Sequence, residues 1–235
     1  MSNSDLASVL KSIPWNENVN ALCGHSRATE RIESGLIRIA LWAQQLEIAD
    51  KNNPALCFVR EMQVQGHFIA ALLGAALYKP VATAQRALVE NALYYSYFRT
   101  HPKELATLVR DARYYEEKTS IVEFHKQHSS GFVERDLKMS IVGRLNDWYK
   151  NISAIVHGQI PGKWIGHSSL ADICHAPALI DEALEKFEAA TSIVNDLFLA
   201  TVAQDLWSDF SREVRKELLK GLSGDVRTIL ALPTA

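Results

Sequence analysis

An all-α fold, a helical bundle of about seven to nine helices around a central buried helix at 81–98, follows from three features of the sequence. Apolar residues recur at spacings of three and four over several long segments. Glycine and proline fall mainly between those segments, and no stretch alternates apolar and polar as a half-buried strand does. The central helix is opened by Pro80, runs through Val81 to Phe98, and carries apolar or aromatic residues at almost every angle round its axis, which places it in a core. Its one polar stripe is made by Arg86, Glu90 and Tyr97, within roughly 40° of one another at about 100° per residue, with Thr83 beside them. An Arg–Glu pair taken out of water loses hydration worth several kcal/mol per ion, so the stripe needs partners. It is either a structural ion pair or one wall of a site.

Taken in order, Ser4 to Ile13 reads as a short docking helix capped by Ser4, and Trp15 to Ser26 as a loop. Thr29 to Asp50 is an amphipathic helix with Ile32, Leu36, Ile39, Ala43 and Leu46 on one face. Asn53-Pro54 breaks the chain. Leu56 to Tyr78 resumes it as one long helix in which Gly66 and Gly74 permit close helix approach. Glu104 to Glu117 is expected to turn Leu105, Leu108, Val109 and Ala112 inward, followed by a short helix and polar loop up to Gly131. Phe132 to His157 reads as one helix with Leu137, Ile141, Leu145, Trp148, Ile152 and Ile155 on its apolar face, closed by Gly158. The Gly- and Pro-containing 159–167 segment is a loop, Ala178 to Trp207 is a last long helix, and Ser208 to Leu222 is a basic helix. This organisation divides the chain into an N-terminal docking helix and loop (1–26), a bundle (27–207) and a basic C-terminal helix and tail (208–235).

Composition narrows the function classes. Hydrophobic residues make up 48% and charged residues 22%, the balance of a soluble globular protein. With 25 Lys plus Arg against 27 Asp plus Glu, the net charge of −2 gives no global field for nucleic acid, so any RNA contact is local. Cys23, Cys57 and Cys174 are unpaired in spacing and are expected as reduced core thiols of a cytoplasmic protein, without disulfides. The start of the chain does not read as a signal peptide, and Phe68 to Tyr78 is about half a membrane span. His125 with His128, and His167 with Cys174 and His175, are incomplete ligand sets, so no metal and no cofactor is expected.

A second stripe lies on the 132–157 helix, where Asn146, Lys150, Ser153 and His157 follow at intervals of four, three and four. His157 ends that helix ahead of Gly158, where a histidine can titrate near neutrality and the glycine lets the backbone turn. Gln85-Arg86-Ala-Leu-Val-Glu90, taken with Tyr149-Lys-Asn-Ile-Ser153-Ala-Ile-Val-His157-Gly158, resembles the uncharacterised HEPN-like helical proteins of bacteria, with their Arg-x-x-x-Glu helix and Ser-x-x-x-His-Gly helix end. The resemblance covers about a third of the chain and extends the bundle of 27–207 to a HEPN-like one. It implies a homodimer in toxin–antitoxin or phage-defence systems, and in many members RNA cleavage by an Arg and a following His with four to six residues between them. Here Lys150, followed by Asn151, stands where that arginine is expected, keeping the charge but losing the planar fork. Arg60 and His67 meet the strict spacing and form a reserve pair, since roughly one such match arises by chance in a chain of this composition.

Two functions follow. One is a metal-independent RNase-type effector with His157 as acid or base, Arg86 or Lys150 on the phosphate, and Glu90 orienting Arg86. Ser153, Asn146, Asn151 and Tyr97 complete the candidate site, with RNA or a nucleotide as ligand. The other is a non-catalytic helical module, an antitoxin, sensor or scaffold binding a partner protein of a defence system.

Overall fold

The structure, a computed structural model, describes residues 5–233 and is all-helical, with no strand among them. Among the described residues thirteen α-helices, more than expected, follow in order. The first five are α1 (Leu6–Ser12), α2 (Trp15–Gly24), α3 (Ala28–Ala49), α4 (Leu56–Gly74) and α5 (Tyr78–Phe98). Next come α6 (Pro102–Arg110), α7 (Lys118–His128), α8 (Phe132–Met139) and α9 (Ile141–Val156). The last four are α10 (Pro177–Ala200), α11 (Val202–Leu206), α12 (Arg212–Leu218) and α13 (Gly224–Leu230). Single 3₁₀ turns at Leu170–Asp172 and Trp207–Asp209 complete the set.

The α5 helix packs along α4 and against α10, α9 and α7, and twelve of its residues are buried, which makes it a core helix. It begins at Tyr78, two residues before Pro80, because a proline in the first turn removes an N–H that has no intrahelical acceptor anyway. Gly66 lets α4 close on α3, since a Cβ there would lie 3.1 Å from Leu36 Cδ2 and 3.3 Å from Ile39 Cδ1.

Most of the extra helices come from breaks inside expected long ones. The 132–157 segment divides at Ser140, which takes a left-handed conformation (φ 52°) while Asp136 Oδ1 accepts from the Val142 N–H at 2.8 Å. That local side-chain acceptor competes with the helix ladder. Leu137, expected on the apolar face, is consequently 78% exposed. The 56–78 segment divides likewise at Ala76 (φ 58°), and the 178–207 segment at Thr201, whose hydroxyl donates to the Leu197 carbonyl at 2.6 Å. The 104–117 helix stops at Arg110, because Asp111 turns back to accept from the Arg113 N–H at 3.0 Å. Val109 and Ala112 therefore lie at the surface.

Other expectations change for tertiary reasons. The 15–26 loop is helix α2, and its Asn18, 3% exposed, donates to the Ile173 carbonyl and accepts from the His175 N–H. A buried asparagine with both partners more than 150 residues away is invisible to local periodicity. The first helix docks little: Leu6 and Leu10 are exposed and only Ile13, after it, is buried. Its side-chain cap is Asp5, and Ser4 lies outside the described residues. Cys23, Cys57 and Cys174 are all exposed, not core thiols. The basic helix is confined to α12, capped by Ser211, and α13 follows it with its own cap from Ser223. Each such cap stabilises by about 1 kcal/mol. No helix among the described residues is long and apolar enough to cross a membrane.

Candidate functional site

The Arg86 and Glu90 side chains lie one turn apart on α5 and face α9, where Tyr149 and His157 stand two turns apart. Arg86 Nε donates to Glu90 Oε1 at 2.9 Å, and the Tyr149 hydroxyl accepts from Arg86 Nη2 at 2.8 Å and from Nε at 3.2 Å. The same hydroxyl donates to Glu90 Oε1 at 2.5 Å. The arginine is thus held on two sides, and its guanidinium carbon also sits 5.0 Å from the Tyr149 ring centroid.

Arg86 Nη1 reaches His157 Nε2 at 2.7 Å. An arginine only donates, so Nε2 is the acceptor and the ring proton belongs on Nδ1. With these contacts made, one N–H on each terminal nitrogen of Arg86 stays free for a ligand. His157 itself is exposed, at the C-cap of α9, and Gly158 takes a positive φ of 67° that turns the chain away immediately after it.

Burial is partial: the Arg86 and Glu90 side chains are 24% and 39% exposed, so the stripe forms the rim of a cleft and not a sealed core pair. Burial works against the Arg86 charge, but the hydrogen bond and attraction of Glu90 outweigh it and hold the guanidinium above its ordinary value. Burial, then the hydrogen bond to Glu90, pushes the Tyr149 phenol up to about 12, so it remains a neutral donor across the physiological range. The cleft beyond them, about 330 Å³, is walled by Leu93, Tyr94, Tyr115, Glu116, Lys118 and Ile121. The Lys118 ammonium donates to the Asn146 side-chain oxygen and lies 5.5 Å from the Tyr149 ring centroid, and its desolvation lowers its proton affinity.

Of the expected residues, Arg86, Glu90 and His157 converge directly, and Asn146 closes the cleft through Lys118. Ser153 stands one turn before His157 on α9, its hydroxyl buried without a partner among the described residues. Lys150 and Asn151 are exposed on α9; Asn151 bonds only its own helix, at the Asp147 carbonyl, 2.7 Å. Tyr97, two turns beyond Glu90, leaves the stripe to stack on His101 at 4.0 Å. Arg60 is exposed and paired bidentately with Glu47, and His67 is exposed elsewhere on α4, so the reserve pair stays outside the cleft.

Tyr149 and Lys118 are the participants that sequence reasoning missed. Tyr149 had a signal, lying three residues after Asn146 and four before Ser153 on the stripe already marked. Lys118 had none, because α7 reaches the cleft only through tertiary packing against α5. His125 and His128 part company, the first buried and the second exposed, and no group of three or more His, Cys, Asp or Glu side chains converges for a metal among the described residues. Comparison of the chain with models of protein families, with curated proteins and with solved structures finds no match.

Proposed function

We propose that this chain is a HEPN-like bundle centred on α5, whose α5–α9 cleft cleaves RNA without a metal. The observation that carries the reading is the 2.7 Å contact between Arg86 Nη1 and His157 Nε2, an exposed imidazole held by the oriented cation that lines the cleft. A phosphodiester docking on the free N–H groups of Arg86 competes for Nη1, and His157 Nε2 then has its lone pair free. Nε2 takes the proton of the RNA 2′-hydroxyl as that oxygen attacks phosphorus. The P–O5′ bond breaks, water protonates the leaving oxygen, the hydroxide so formed takes the proton held on His157, and a 2′,3′-cyclic phosphate remains. Glu90 and Tyr149 keep the guanidinium aimed, and Arg86 stabilises the charge that builds on the phosphoryl oxygens.

The test is an RNA pool incubated with wild type and His157→Ala, chelator present throughout. The expected result is cleavage with cyclic phosphate ends, reduced by about 10²–10⁴-fold in the variant. No cleavage by wild type, or equal cleavage by both, overturns the reading.

A non-catalytic module is favoured by a different observation: Glu116 and Glu117 border the cleft, and carboxylates there repel a polyanion while suiting a basic or aromatic protein segment. A wild type without RNase activity that co-purifies stoichiometrically with one host protein supports it. In both readings the Asn146–Lys150–Ser153 stripe of α9 is partly covered by a second copy, as the resemblance implies, and light scattering at the monomer mass counts against that part.

A further inference from the structure

Arg135, on α8, is only 6% exposed, yet no Asp or Glu side chain among the described residues lies within ion-pair distance of it. Its Nη1 donates to Gln204 Oε1 at 3.2 Å and its Nη2 to the Ser130 carbonyl, both neutral acceptors, and its buried Nε finds none. A desolvated guanidinium with only neutral partners is costly, and the ordinary remedy is an anion. Burial accordingly pushes Arg135 below the usual arginine value. Burial disfavours the charge of Arg99 as well, but Asp205, with Asp50 behind it, holds Arg99 above that value.

Arg135 and Arg99 line one polar cavity of about 500 Å³ between the ends of α5, α7 and α11 and the start of α8. Asp205 is the one carboxylate in the lining and is already bonded to Arg99 Nη1 at 2.6 Å, so the second guanidinium has only the attraction of Glu134, outside ion-pair distance, which burial outweighs. At the turn, Ser130 keeps a backbone N–H that makes no hydrogen bond to a described residue. Phe124 and His128, ring centroids 5.1 Å apart, form an aromatic edge to the same cavity.

We propose that this cavity binds a small phosphorylated ligand of nucleotide size, its phosphate on Arg135 at the Ser130 rim and its planar ring against Phe124 and His128. The volume falls within the range of ligand pockets and exceeds what a lone phosphate fills. The guanidinium fork matches phosphoryl oxygens, and the aromatic edge offers stacking to any base. The site is separate from the α5–α9 cleft, since Arg86 and Arg99 stand about 20 Å apart along α5 at 1.5 Å per residue.

Isothermal titration of the full chain in a phosphate-free buffer, with inorganic phosphate, AMP and adenosine as probes, tests this. AMP is expected to bind, phosphate at least about tenfold more weakly, and adenosine not at all. Arg135→Met is expected to weaken AMP binding by at least about tenfold, the loss of charge-assisted hydrogen bonds. Ser130→Glu, at an exposed rim position that leaves the core untouched, supplies a carboxylate in place of the ligand and is expected to abolish AMP binding even if Arg135→Met fails to fold. His157→Ala is expected to bind AMP as wild type does. Absence of AMP binding, retention of it in Ser130→Glu, or its loss in His157→Ala overturns the proposal, and adenosine binding as tightly as AMP removes the phosphate from it.

Discussion

Arg86, partly buried, and Arg135, buried, are treated in opposite ways by the bundle. Arg86, the more exposed, has a carboxylate, a phenol and an imidazole round it. Arg135, the more buried, has an amide oxygen and a backbone carbonyl. Desolvation penalises both charges; the hydrogen-bonded Glu90 outweighs it at Arg86, whereas the more distant Glu134 does not at Arg135. The difference separates two kinds of polar cluster. One guanidinium is aimed by the protein's own anion and keeps one N–H on each terminal nitrogen, and the other meets only neutral acceptors.

The largest test of that contrast uses the histidines. His125 lies on the wall of the Arg135 cavity, 2% exposed, between Ser96 Oγ at 2.9 Å and Ser129 Oγ at 2.8 Å. Burial first, then the charges of His101 and Arg99, lowers its value from 6.5 to about 4. The unfolded chain therefore binds a proton there between about pH 6.5 and 4 that the folded chain refuses. Stability is full above about pH 6.5 and falls as pH drops through that window, by about 3 kcal/mol in all at 1.36 kcal/mol per unit. Thermal unfolding should show that slope in wild type and lack most of it in His125→Gln. Equal slopes would mean that the cavity is wet enough to charge the ring.

Substitution of the two arginines tests the contrast directly. Arg135→Met removes a buried charge without stranding a carboxylate, and is expected to raise stability by about 2 kcal/mol, a Tm increase of about 4–8 °C for a chain of this size. Arg86→Ala is expected to do the reverse and lower stability by about 1.5 kcal/mol. The Glu90 it leaves behind is 39% exposed, and water takes over much of the lost pairing. Were both variants to destabilise equally, Arg135 would have a partner unlike those seen here.

The two regions also differ in how much the sequence reveals. The Arg86 cluster is readable because both of its walls are regular helices: stripes at spacings of three and four on 81–98 and 141–157 mark Arg86, Glu90 and His157 before any packing is known. What periodicity leaves open is the partner's direction, which is why Tyr97 was placed with the stripe and Tyr149 was not. The Arg135 cavity is built from helix ends, a turn and the break at Thr201, so its residues are brought together by chain reversals and not by a period. The breaks at Ala76, Ser140 and Thr201 escape for a related reason, because two of them are set by a single side-chain hydrogen bond competing with the helix.

The smallest expected effect is the most informative about the α5–α9 cleft. Tyr149→Phe removes one oxygen, and with it the acceptor for Arg86 Nη2 and the donor to Glu90, while the direct Arg86–Glu90 contact at 2.9 Å and the ring beneath the guanidinium survive. Glu90 is part-exposed and finds water, so the fold is expected to lose only about 1 kcal/mol. Under the proposed RNase reading, the effect on RNA cleavage reports what the hydroxyl does. As a positioning group it restrains the swing of Arg86 toward His157, and its loss is expected to lower kcat by about tenfold while leaving the pH profile in place. A phenol pushed up to about 12 is a poor proton donor at neutral pH, and a role in proton transfer would instead reshape that profile and lower kcat as far as His157→Ala does. Unchanged kcat would mean that the ion pair aims Arg86 unaided and that the hydroxyl serves the fold alone.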